Sequence, residues 1–182
     1  MDQHVAPPSF DLPVQEAVFW RGVFLHHYGI VEFAVSELLL RAAYHADYKA
    51  FGKLPSKWRE RFERLGRILD APGPLVAYSE VCRRLVSQIT IFEDDRHILA
   101  HARMRVREAA GSSLVHLEWH DVYNQRMKEN DLPLADLRFL AQELGAAACA
   151  LTTLIDEMME AAGLLPIPLE PAEPNLRRTR TI

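Results

Sequence analysis

Apolar side chains along residues 14–46 fall at helical rather than alternating spacing: Val14, Val18, Phe24, Leu25, Val31, Val35, Leu38, Leu39 and Ala42. A strand alternates its apolar residues in twos, so this spacing confines the segment to one long helix with a stripe to bury. Gly22 and Gly29 interrupt that helix and predict a kink or a close helix crossing. The break FGKLPS follows, and Ser56 is placed to cap a short second helix over residues 57–69, stopped by APGP. The helical period then runs through Tyr78, Cys82, Leu85, Ile89 and Phe92, which predicts a third long helix from Leu75 to Ala102.

At residue 103 the period changes. Met104 and Val106 alternate with Arg103, Arg105 and Arg107, and beyond the turn AAGSS, Val115, Leu117 and Trp119 alternate with His116, Glu118 and His120. That pattern predicts a β-hairpin with one apolar and one polar face. Asp131 is placed to cap a last helix over residues 132–162, with Leu137, Leu140, Leu144, Ala148, Leu151, Ile155 and Met158 as its stripe and Gly163 as its stop. The expected fold class is all-α: an antiparallel helical bundle of three long helices and one short one, with an inserted β-hairpin. Residues 14–163 form the domain, residues 1–13 a flexible N-terminal segment, and residues 164–182 a proline-rich flexible or partner-wrapping tail.

A chain of 182 residues with 49% hydrophobic and 25% charged residues has the makings of one globular domain. Its net charge of -4 and pI near 6.1 argue against a protein that coats nucleic acid without specificity, yet leave room for a local basic site. Two basic patches occur. Lys53, Lys57, Arg59, Arg61, Arg64 and Arg67 are interspersed with Glu60 and Glu63 and read as a solvated helix face, whereas Arg103, Arg105 and Arg107 stand on the predicted hairpin. Cys82 and Cys149 each sit in an apolar-periodic segment and read as reduced core residues. The start MDQHVAPPSFDLP has neither a basic nor an apolar run, and no stretch reaches about 18 uninterrupted apolar residues, so the expectation is a cytoplasmic protein with no membrane contact.

The stretch Asp94-Asp95-Arg96-His97-Ile98-Leu99-Ala100-His101 is the chemical anomaly, because it puts two acids, an arginine and two histidines at the end of a helix. Arg96 and His101 differ by about 140° in azimuth and about 7.5 Å in rise, so they do not stack, but both can lean over the groove between them. A phosphate there would meet a permanent cation and an imidazole that titrates near neutral pH. Metal-free RNA cleavage uses such a set: a base for the 2′-hydroxyl proton, a cation for the crowded phosphate and an acid for the departing 5′-oxygen. Two other readings share the letters. Arg96 paired with Asp94 or Asp95, beside a histidine satisfied in the bundle, is a purely structural arrangement. Asp94, His97 and His101 at i, i+3, i+7 spacing point to a metal held between helices, with a further ligand from His26, His27 or His45. His26, however, also continues a seven-residue series with Phe19, Phe33 and Leu40, which marks it as a core or interface residue.

The span Arg96-His97-Ile98-Leu99-Ala100-His101 resembles the Arg-x4-6-His motif of the HEPN superfamily, with His97 in the place where members favour a polar residue and Ala102 where many have glycine. The order around it is similar too: a first helix carrying IVEFAVSELLL, centred on Glu32, then the motif, a hairpin and a final long helix. That resemblance implies a small helical domain, often a homodimer, and a metal-independent endoribonuclease with Arg96, His101 and His97 as catalytic residues. Asp95, Arg103, Arg105 and Arg107 are the candidate substrate-binding residues, with RNA as partner, no cofactor and no metal. It also implies the toxin half of a pair with an antitoxin protein. A non-catalytic module that binds nucleic acid, nucleotide or protein is the alternative, and a metal-bound helical-bundle enzyme a further one.

Overall fold

The computed structural model describes residues 12–109 and 111–166. Of the expected end segments, 1–13 and 164–182, residues 1–11 and 167–182 lie outside the described residues, while Pro13 already belongs to the first helix. The element order is α1 (Pro13–Ala42), α2 (Trp58–Asp70), α3 (Ser79–Thr90), α4 (Glu93–His101), β1 (Arg103–Ala109), β2 (Ser112–Asp121), β3 (Arg126–Pro133) and α5 (Leu134–Ala161), with short 3-10 turns at Lys49–Phe51 and Pro74–Tyr78. The molecule is thus mostly helical with a small antiparallel sheet. Among the described residues, five α-helices replace the expected four, and three strands in the order β1-β2-β3 replace the hairpin.

The predicted helix from Leu75 to Ala102 is divided. Pro74–Tyr78 is a 3-10 turn, and α3 stops at Thr90 before α4 begins at Glu93. Phe92 sits at the junction with φ -89 and ψ 5, buried edge-on against Phe24 of α1 at 6.1 Å between ring centroids. Glu93, Asp94 and Asp95 then fill the first turn of α4, where negative charge meets the positive end of the helix dipole. This acidic triplet is a helix-start signal in its own right, outweighed in the sequence by an apolar period that continues across the break.

Two other caps differ from expectation. Asp131 lies in β3 and bonds His116, so α5 starts at Leu134 after Pro133. The first residue before α2 is Lys57, with no side-chain cap, rather than Ser56. Gly163 does end α5: its φ of 61 is left-handed, its N–H donates to the Glu160 carbonyl, and Leu164 N–H reaches back to Met159 O at 2.9 Å. Those two bonds are the Schellman closure of a helix.

The central pair, α1 and α5, runs in the same direction. Glu16 pairs with Arg138, the His27 ring lies over Gly145 with its Nδ1 3.3 Å from the Ala141 carbonyl, and Arg41 donates to the Leu164 carbonyl. Contacts therefore advance together along both helices, which corrects the antiparallel bundle for this pair. The sheet makes it possible, since it returns the chain to the start of α5. A Cβ at position 145 would fall 2.6 Å from the His27 ring, so only glycine allows this approach. Phe24, Tyr28, Val31, Val35 and Leu38 of α1 and Leu137, Leu144, Leu151 and Ile155 of α5 are all buried in the one core, each contributing about 1.5–3 kcal/mol. By length and composition α1 and α5 are apolar enough to cross a membrane; most of their expected stripes are buried within this fold, but Val14 and Val18 of α1 are exposed, and Ala17 and Trp20 are buried instead.

The sheet covers the end of that core. Met104 and Val106 face Leu117 and Val115, and the buried Val115 and Leu117 look inward. The other face carries Arg105, His116 and Asp131 in one cross-strand row. His116 is only 3% exposed, with Nδ1 2.7 Å from Asp131 and Nε2 3.4 Å from Glu118.

Cys82 is buried, and that burial pushes its thiol up to about 11, whereas Cys149 is exposed. The thiolate is the nucleophile, so at pH 8 a small alkylating reagent should modify Cys149 alone in the native protein and both residues after denaturation. Rapid modification of both thiols in native protein, read by mass spectrometry, would contradict the packing around α3.

Candidate functional site

The motif stands on α4, a helix of nine residues laid against α1 and the sheet. Ile98 and Leu99 supply its apolar anchor, Leu99 being buried. Its C-terminal carbonyls are closed from outside: Arg21 of α1 donates Nε to Leu99 O at 2.6 Å and Nη2 to Ala102 O at 3.1 Å. Four carbonyls end every helix without an internal partner, and Arg21 satisfies two at the point where α4 turns into β1. No sequence signal marks that role, since Arg21 sits 78 residues before Leu99.

Arg96 faces α1. Its Nη2 donates to Glu32 Oε1 at 3.0 Å, and its guanidinium carbon lies 5.5 Å from the Tyr28 ring centroid. Tyr28 is held in turn by the Trp58 Nε1–H, which donates to its hydroxyl at 2.9 Å; burial pushes that hydroxyl up from its ordinary value while the Trp58 bond pulls the other way. Arg96 thus rests between a carboxylate and an aromatic face, with neither Asp94 nor Asp95 as partner. The side chains of Arg96 and Glu32 remain 35% and 28% exposed, so the guanidinium keeps donors for a further acceptor. Glu32, in IVEFAVSELLL, and Tyr28 one turn before it form a cradle that i, i+4 spacing makes readable in sequence.

His97 and His101 face solvent together. Four residues apart on α4, their rings lie 4.9 Å between centroids. Among the described residues no hydrogen bond, ion pair or ring contact joins Arg96 to His101, in keeping with their separation in azimuth. Asp95 is half-buried, and desolvation, with Asp94 beside it, raises its carboxyl above the ordinary range. Of the metal candidates, His27 is engaged with α5, His26 is exposed on α1, and His45 stacks near Tyr48. Among the described residues no cluster of three or more His, Cys, Asp and Glu is arranged to hold a metal ion.

Immediately after α4, the edge strand β1 exposes Arg103, Arg105 and Arg107 on one face. Arg105 pairs with Glu118 at 3.7 Å, while Arg103 and Arg107 have no partner among the described residues. Alternate strand residues repeat at about 6.6–6.8 Å, a ladder of cations on the polar face. The other basic patch is committed to structure: Arg61 bonds Pro55 O and Ser36 Oγ, Arg64 bonds Lys53 O, and Arg59 pairs with Glu63.

Beside Arg96, the outer face of α1 borders a groove of about 770 Å³ lined by Gly29, Glu32, Phe33, Ser36, Leu40 and Arg61 among others. Phe33 is 70% exposed there, and at Gly22 and Gly29 a Cβ would meet nothing within 4 Å. The seven-residue series through His26 and Phe33 therefore runs along an outward face.

Comparison with protein-family models, with curated proteins and with solved structures finds no match for this chain.

Proposed function

We infer that the chain is a cytoplasmic, metal-independent endoribonuclease of HEPN type, the toxin component of a toxin–antitoxin pair. The observation that carries the reading is the position of the motif: Arg96 is held by Glu32 and Tyr28 with donors to spare, and two exposed imidazoles follow it on one short helix. In the proposed step the 2′-oxygen of RNA forms a bond to phosphorus while the bond from phosphorus to the 5′-oxygen breaks. His101 takes the 2′-hydroxyl proton and a second imidazole, His97, protonates the leaving oxygen. Arg96 meets the charge that builds on the phosphate. Arg103 and Arg107 hold the flanking phosphates.

An isologous homodimer belongs to the same proposal. The groove along α1 is lined by Glu32, the residue that holds Arg96, so a second copy seated there would bring two motifs near one axis.

Purified protein incubated with single-stranded RNA in excess EDTA tests the reading, and cleavage should persist. Loss of cleavage on chelation, with stoichiometric bound zinc or iron, moves the assignment to a metal-bound helical-bundle enzyme. Binding of RNA without cleavage moves it to a non-catalytic module.

A further inference from the structure

A second cavity, about 310 Å³, lies between α4 and the β2–β3 loop, with His97 on its helical side and Trp119, His120, Tyr123 and Lys128 on its sheet side. The loop is held from within. The Asp121 carboxylate pairs with Lys128 Nζ at 2.8 Å and accepts from Asn124, backbone N–H at 3.2 Å and Nδ2 at 2.7 Å. Those bonds, Lys128 first, hold the Asp121 carboxyl well below the ordinary carboxylate range. Gln125 in the same loop has a φ of 50, a left-handed conformation uncommon outside glycine. Such a loop has no need of an aromatic tip, yet Tyr123 is 97% exposed and Val122 75% exposed. Within the fold that ring buries nothing.

We propose that this cavity takes one nucleobase of single-stranded RNA, the base beside the phosphate presented to His97 and His101, stacked on Tyr123 and Trp119. This rests on the ribonuclease reading and adds to it a site that grips the RNA through one base. The cavity is large enough for a small ligand, and its wall combines what an unpaired nucleotide needs. Aromatic rings offer a face to any base, so the grip tolerates sequence, while Lys128, shared with Asp121, and the His120 ring offer N–H donors to the neighbouring phosphate. A duplex keeps its bases stacked inside and cannot enter. Because His97 forms one wall, a base seated there sets the adjoining phosphate against α4.

The test uses the full chain with a mixed-sequence single-stranded 12-mer RNA carrying 2-aminopurine, the same RNA as a duplex, and free AMP and UMP. Wild-type protein should quench the 2-aminopurine signal on binding the single strand, and bind the duplex and the mononucleotides far more weakly. Tyr123→Ala, at a site too exposed to affect folding, should raise KM for cleavage about tenfold with kcat little changed, and Tyr123→Phe should restore it. If Tyr123→Ala binds and cleaves like wild type, or if the duplex binds as well as the single strand, the base site is wrong while the nuclease reading stands. Tight binding of free AMP or UMP with no binding of the 12-mer would reassign the cavity to a mononucleotide and overturn the RNA site. If wild-type protein neither binds nor cleaves the 12-mer, the ribonuclease reading fails and the base site with it.

Discussion

Arg96→Ala and His101→Ala should each lower RNA cleavage by about a thousandfold, the scale on which removing a charge stabiliser or an acid–base group acts. Folding should survive both changes. Arg96 loses one ion pair to Glu32, with both side chains partly exposed, and one cation–π contact with Tyr28. Solvent screening keeps that cost to about 1 kcal/mol, a shift of roughly 2–4 °C in Tm for a domain of this size. His101 is exposed and, among the described residues, makes no side-chain hydrogen bond or ion pair, so its loss should leave Tm unchanged. Arg96→Lys should fail nearly as badly as alanine, because a point charge cannot hold Glu32 and a phosphate at once as the planar fork can. A drop of several kcal/mol with cleavage unaffected would make Arg96 a structural strut between α4 and α1.

The second large effect concerns the proposed dimer. Arg96 is turned toward α1 and Glu32, while His97 and His101 face solvent, so in the proposed dimer the arginine and the histidine that meet one phosphorus atom come from different chains. In a shared cleft, Arg96 of one protomer meets His101 of its partner. A purified mixed dimer of differently tagged Arg96→Ala and His101→Ala chains would then contain one intact composite site out of two. It should recover about half of wild-type cleavage, although each parent alone is inactive. Activity at background in the mixed dimer would show that each chain needs its own arginine and histidine.

The long stripes of α1 and α5 were readable because a buried helix repeats its apolar residues at its own period, and Gly163 announced the end of α5. The sheet was legible in part. Its first two strands alternate cleanly, but β3 reads RMKENDLP, polar on both faces, because the strand lies at the edge and only Leu132 and Lys128 turn partly inward. The break before α4 was hidden for the opposite reason: Ile89, Phe92 and Leu99 are all buried, so burial continues although the helix does not. At the site, the motif residues and Glu32 were visible as letters. Arg21 was not, since its role depends on two segments meeting in space. Nor was the parallel course of α1 and α5, which depends on how the sheet returns the chain.

The central claim is that a 2′-hydroxyl, positioned against Arg96 and His101, attacks the neighbouring phosphorus. The ends of the RNA fragments record that step directly. Single-stranded RNA cut by the full chain in excess EDTA, analysed by mass spectrometry, should carry 2′,3′-cyclic phosphate on one fragment and a 5′-hydroxyl on the other. Fragments ending in 3′-hydroxyl and 5′-phosphate, the products of attack by water, would contradict the account.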